Sequence, residues 1–113
     1  APRMERGRMG SGTVHHVAFR APDDEAEMEV RETLLSMGLR PTPQLDRQYF
    51  HSVYTRAPGG ILFEIATDNP GFDADEPADA LGQELKLPPQ YAPQRAAIEA
   101  RLTPLRLPPG AAA

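Results

Sequence analysis

His16 and Glu64 are the two residues of this 113-residue chain whose type and surroundings best suit metal or proton chemistry. Glu64 interrupts "GGILFEIATD" (59–68), where Ile61, Leu62, Phe63 and Ile65 have the character of a strand covered on both faces. An ionised carboxylate in such a place costs several kcal/mol unless a proton, a cation or hydrogen bonds satisfy it. His16 lies in "TVHHVAFRA" (13–21), whose β-branched and aromatic residues, stopped by Pro22, predict a strand. Alternation sets Val14, His16, Ala18 and Arg20 on one face, and His15, Val17 and Phe19 on the other. Imidazole and carboxylate are ligands that divalent Fe, Mn, Zn or Ni accept, so a cation is one answer to what Glu64 faces. The other answers are an arginine (Arg20, Arg40, Arg47 or Arg56) for Glu64 and a hydrogen-bonded place in the core for His16. From the residues alone these readings stand side by side.

The elements that must position the pair follow from pattern. Residues 1–12 read as a basic, glycine-bearing linker; the chain opens Ala1-Pro2-Arg3 without an initiator Met, as a fragment of a longer protein would. "PDDEAEMEVRETLLSMG" (22–38) predicts a helix capped by Asp23 or Asp24, with Ala26, Val30, Leu34 and Met37 at helical spacing and Gly38 as the stop. Its acidic run, Asp23 to Glu32, reads as a solvated outer face. "LRPTPQLD" (39–46) can hold a short strand, confined to an edge by Pro41 and Pro43. "QYFHSVYTRA" (48–57), the turn Pro58-Gly59-Gly60 and "ILFEIAT" (61–67) make a hairpin. A loop over 68–77, a polar tail and a short helix at 93–102 complete the chain, the helix carrying a thin stripe of Ala97, Ile98, Arg101 and Leu102. The expected fold is α+β: one βαβββ module over 13–70, a half-barrel with a mixed sheet, and a C-terminal tail over 71–113. One helix cannot cover both faces of such a sheet, so a partner module is a physical expectation.

Bulk composition narrows the function classes. A net charge of −4 and a pI near 5.3, with no interleaved basic and aromatic stretch, argue against nucleic acid as partner. No apolar run approaches the length of a membrane span, and the absence of cysteine excludes a disulfide frame, Cys-ligated zinc and a thiol nucleophile. A soluble cytoplasmic protein is the default expectation.

"GTVHHVAFR", followed by "DRQYFHSVYTRAPGGILFEIATDNPGF" and "LGQELKLPPQYAPQRAAIEARL", resembles the glyoxalase, bleomycin-resistance and extradiol-dioxygenase superfamily, also called vicinal oxygen chelate. Within it the chain is most similar to the C-terminal module of hydroquinone-type ring-cleaving dioxygenases, over residues ~10 to ~105. The resemblance implies paired βαβββ modules cupping a divalent metal, Fe(II) in the dioxygenases and Mn, Zn or Ni in other sites of this type. It maps His16 and Glu64 onto two ligands of a two-His-one-carboxylate triad whose third ligand, a His, belongs to an N-terminal sister module. It places His15 beside the ligands, assisting proton transfer, with His15 as the alternative ligand because the register of a doubled His shifts easily; Tyr54 is a pocket tyrosine that hydrogen-bonds or relays a proton, and Arg47 a stabiliser of anionic substrate oxygen. Sheet packing for Tyr54 and plain surface for Arg47 are the alternatives, and alternation does not decide where His51 points.

Three functions are therefore expected in order. The first is one half of an extradiol-type dioxygenase, inactive without its N-terminal module, acting on a small hydroquinone- or catechol-like aromatic and O2. The second is a homodimer with a two-His-two-Glu site for lyase or isomerase chemistry. The third is a metal-free binding protein of the bleomycin-resistance kind.

Overall fold

The structure, a computed structural model, describes residues 9–104. Most of the predicted linker and the end of the tail, 1–8 and 105–113, lie outside the described residues. The chain divides into two compact units, the first ending at Asn69 and the second beginning at Pro70.

The first unit runs β1 (Val17–Ala21), α1 (Asp24–Ser36), β2 (Leu45–Asp46), β3 (Phe50–Arg56) and β4 (Leu62–Pro70). This is the βαβββ order, laid out as a mixed sheet β1-β4-β3-β2. β1 pairs in parallel with β4, Ala18 opposite Glu64, so β4 is central and β1 is an edge. The parallel pairing is possible because α1 carries the chain across between them. β3 and β4 are joined by a tight turn in which Ala57 N–H donates to Ile61 O at 3.0 Å. Gly59 and Gly60 take φ of 96° and 91° there, a backbone region that side chains disfavour. β2 lies antiparallel on the far edge, Leu45 opposite Ser52.

Helix α1 begins and ends for local reasons. Asp23 Oδ1 accepts the Ala26 N–H at 2.8 Å, and Asp24, Glu25 and Glu27 place negative charge on the first turn. At the other end Gly38, at φ 78°, lets its own N–H reach Leu35 O and the Leu39 N–H reach Leu34 O. That pair of bonds is the Schellman arrangement, which consumes two orphan carbonyls.

Several predicted details are corrected. β1 starts at Val17, so His16 sits one residue before the strand and not within it. The short edge strand expected within 39–46 is present as Leu45–Asp46, with Pro41 and Pro43 withholding ladder donors upstream. β4 continues to Pro70, through residues assigned to a loop. α1 does not bury the Ala26–Val30–Leu34–Met37 stripe: Met37 is 69% exposed and Val30 is exposed too. The helix instead turns Asp24, Glu27, Arg31 and Leu34 inward, and Glu27, from the supposed solvated face, is fully buried. The reason lies in its neighbours. Gln44 Nε2 donates to Glu27 Oε2 at 2.6 Å, and Arg31 Nε donates to Thr42 O at 2.8 Å. Polar partners from the strand side make a polar helix face the better fit. Buried apolar residues are few, with Ala21 and Val53 accompanied by buried Ser52, Thr55, Glu64 and Thr67.

The second unit has short 3-10 turns at Phe72–Ala74, Ala78–Ala80 and Pro89–Gln94, leading into α2 (Arg95–Glu99). The helix predicted over 93–102 is thus shorter; Pro93 offers no N–H, and the chain takes a 3-10 turn up to Gln94. Arg95 and Glu99, one helical turn apart, pair at 2.9 Å. Among the described residues no helix is long and apolar enough to cross a membrane.

Candidate metal and proton-transfer site

The site is built on the face of the first unit's sheet opposite α1. Ala18 and Glu64 are register partners, so His16, two residues before Ala18, extends the same face. On β3, alternation puts Ser52 and Tyr54 on that face and His51, Val53 and Thr55 on the helix side.

Glu64, 4% exposed, meets three side chains. His16 Nε2 lies 2.8 Å from Glu64 Oε2. Ser52 Oγ donates to Glu64 Oε1 at 2.5 Å, and Tyr54 OH donates to the same Oε1 at 2.6 Å. Hydrogen bonds to an ionised acceptor are the strong kind, and three of them repay much of the cost of burying the charge. The arginine alternative does not hold: no arginine touches Glu64 directly among the described residues, and Arg20 instead clasps Asp68 through Nε at 2.8 and 2.9 Å.

Arg47 reaches the site through Tyr54. Its Nε and a terminal nitrogen each lie 3.3 Å from Tyr54 OH, and its guanidinium carbon sits 5.2 Å from the ring centroid. The phenol therefore gives its proton toward Glu64 while a cation stands behind its oxygen, an arrangement that eases movement of that proton. His15 stacks edge-on to His16, with the two Nδ1 atoms 2.8 Å apart. One of those nitrogens carries the proton and the other accepts it. With Nε2–H of a neutral His16 turned to Glu64, His16 accepts at Nδ1. With Nε2 bare for a cation, the His16 Nδ1–H points at His15, the outer hydrogen bond that ligating histidines ordinarily make.

The structure thus brings together all five residues singled out in the sequence: His16 and Glu64 directly, Tyr54 on Glu64, Arg47 on Tyr54, and His15 on His16. Sequence reasoning missed Ser52. Its signal was its position two residues before Tyr54, hence on the same face of β3. His51 points away from the site, its Nδ1 2.6 Å from Asp24 Oδ1 at the start of α1.

His16 Nε2 and Glu64 Oε2 are chemically suited to a divalent cation, a neutral imidazole nitrogen and a carboxylate oxygen at contact distance, with His16 36% exposed and so reachable. They fill part of a coordination shell. Among the described residues no group of three or more His, Cys, Asp or Glu side chains could hold a metal.

No family model matches the chain. It is 50% identical over 102 residues to a Bacillus subtilis (strain 168) protein that bears the name ring-cleaving dioxygenase MhqO, a match covering 90% of this chain and 33% of that protein. It is 39% identical over 83 residues to the chlorohydroquinone/hydroquinone 1,2-dioxygenase of Sphingobium indicum, covering 73% of this chain and 26% of that enzyme. A crystal structure from Bacillus subtilis subsp. subtilis str. 168, described as a dioxygenase, superposes with a TM-score of 0.82 at 50% identity, over 90% of this chain and 33% of the other. The fold is therefore shared with about a third of that crystal structure. The chain spans about a quarter to a third of the length of the curated relatives it matches.

Proposed function

We propose that this chain is the C-terminal, ligand-bearing module of an Fe(II)-dependent extradiol-type ring-cleaving dioxygenase acting on hydroquinone- or catechol-like aromatics. The observation that carries the reading is the convergence of His16 and Glu64, backed by Tyr54 and Arg47, in a chain half identical to a protein named for ring cleavage. His16 and Glu64 would hold the iron together with a histidine from a sister module, which accounts for a site with only two donors here. Bound iron(II) supplies Lewis acidity and electron transfer toward O2.

This chain's own residues then have definable tasks. Glu64 keeps one oxygen in two hydroxyl hydrogen bonds and turns the other toward His16. Tyr54 would hydrogen-bond a bound substrate hydroxyl and relay its proton, and Arg47, which touches the Tyr54 oxygen, would offset the negative charge left on the substrate oxygen. His15 holds the His16 ring in orientation through the Nδ1 contact.

The test is a chimera in which this chain replaces the matching third of MhqO. The iron-loaded chimera is expected to consume O2 with hydroquinone or chlorohydroquinone, and its His16→Ala and Glu64→Gln variants to lose at least a hundredfold in rate. A folded, iron-loaded chimera that consumes no O2 with any hydroquinone or catechol contradicts the reading.

A further inference from the structure

Glu64 is held unevenly. Both hydroxyl donors, Ser52 Oγ at 2.5 Å and Tyr54 OH at 2.6 Å, are directed at Oε1, while among the described residues Oε2 meets His16 alone. The two donors differ in kind. Tyr54 is half-buried and tied to Arg47, so it is free to exchange its proton with a bound molecule. Ser52 is fully buried on β3, and its hydroxyl is spent on Glu64 Oε1. A group so placed cannot be catalytic in its own right; it can act only through the carboxylate it touches.

We propose that Ser52 is a positioning residue that makes Glu64 a one-oxygen ligand. By donating to Oε1, Ser52 weakens that oxygen as a second donor to a cation beside His16 and favours binding through Oε2. The consequence is a coordination position kept open that a two-oxygen carboxylate would fill, and positions left open are what a site needs to bind both an aromatic hydroxyl and a small molecule such as O2. This inference rests on the reading of His16 and Glu64 as cation donors.

Co(II) added to the MhqO chimera, which supplies the sister module, provides the test. Two readouts are followed: the Co(II) dissociation constant by calorimetry, and the separation of the Glu64 symmetric and asymmetric carboxylate stretches by infrared difference spectroscopy. Wild type is expected to show the wide separation of a one-oxygen ligand. Ser52→Ala should narrow it toward the two-oxygen pattern and change the Co(II) affinity about tenfold. Ser52→Thr, which keeps the hydroxyl, should retain the wild-type separation. Circular dichroism establishes that each variant is folded; should Ser52→Ala unfold, Ser52→Gly in its place is expected to narrow the separation likewise. A folded Ser52→Ala variant with the wild-type separation and affinity overturns the assignment to Ser52 while leaving the metal reading intact. Co(II) binding that survives Glu64→Gln unchanged overturns the metal reading itself, and the role of Ser52 with it.

Discussion

At the scale of single residues, a buried carboxylate has to be explained by its neighbours, and Glu64 is explained by His16, Ser52 and Tyr54. The exchange of hydrogen bonds with water leaves a bond to a charged group worth about 1.5–3 kcal/mol. Tyr54→Phe, which removes one such bond and little volume, should therefore lower the unfolding free energy by about 2 kcal/mol in a urea titration. The second carboxylate cluster, on the helix side, behaves differently. The hydrogen bond from His51 holds Asp24 below the ordinary carboxylate range, and the same bond raises His51 above its ordinary value near 6.5. A raised histidine stabilises the fold fully below 6.5, and that contribution is lost as pH rises through its folded value; a lowered aspartate stabilises above its ordinary 3.8 and loses that as pH falls. The pair thus helps most between those limits. Burial pushes Glu27 up, which works the opposite way, favouring the folded state at lower pH. Melting temperatures measured from pH 6 to 9 should fall for wild type and fall less for His51→Gln. Equal slopes would remove the ion pair from the account.

At the scale of elements, the sequence was most readable where geometry is local. The cap at Asp23, the stop at Gly38 and the Pro58-Gly59-Gly60 turn each follow from what one residue can do, and each is present. Asp23→Ala should cost about 1 kcal/mol of stability, measured by chemical denaturation, because the Ala26 N–H loses its acceptor. Alternation likewise separated His16 from His15 and set His16 on the face of Ala18, which pairs with Glu64, because strand parity survives an error in where a strand begins. What could not be read was which side of α1 turns inward. Spacing favoured its apolar residues, but Gln44 and the Thr42 carbonyl, brought up by the following segment, supply partners for Glu27 and Arg31. Non-local pairing of this sort leaves no periodic trace. The role of Ser52 was hidden for a related reason: serine carries no compositional signal, and only the strand register gives it Glu64 as a neighbour.

At the scale of the whole molecule, the proposed partner module would complete a sheet with one helix and two metal-suited donors, in a chain that spans about a third of its MhqO relative. The apolar side chains that α1 and β1 expose, Val30, Met37, Val17 and Phe19, agree with the view that this unit does not bury its whole surface by itself. The central claim, that His16 and Glu64 hold a divalent cation, is tested most directly by native mass spectrometry of the MhqO chimera, which supplies the sister module, with Fe(II) in the absence of air, beside its His16→Ala and Glu64→Gln variants. The account predicts an iron-bound species for wild type that both substitutions abolish. Iron retained at wild-type occupancy in both variants would contradict it.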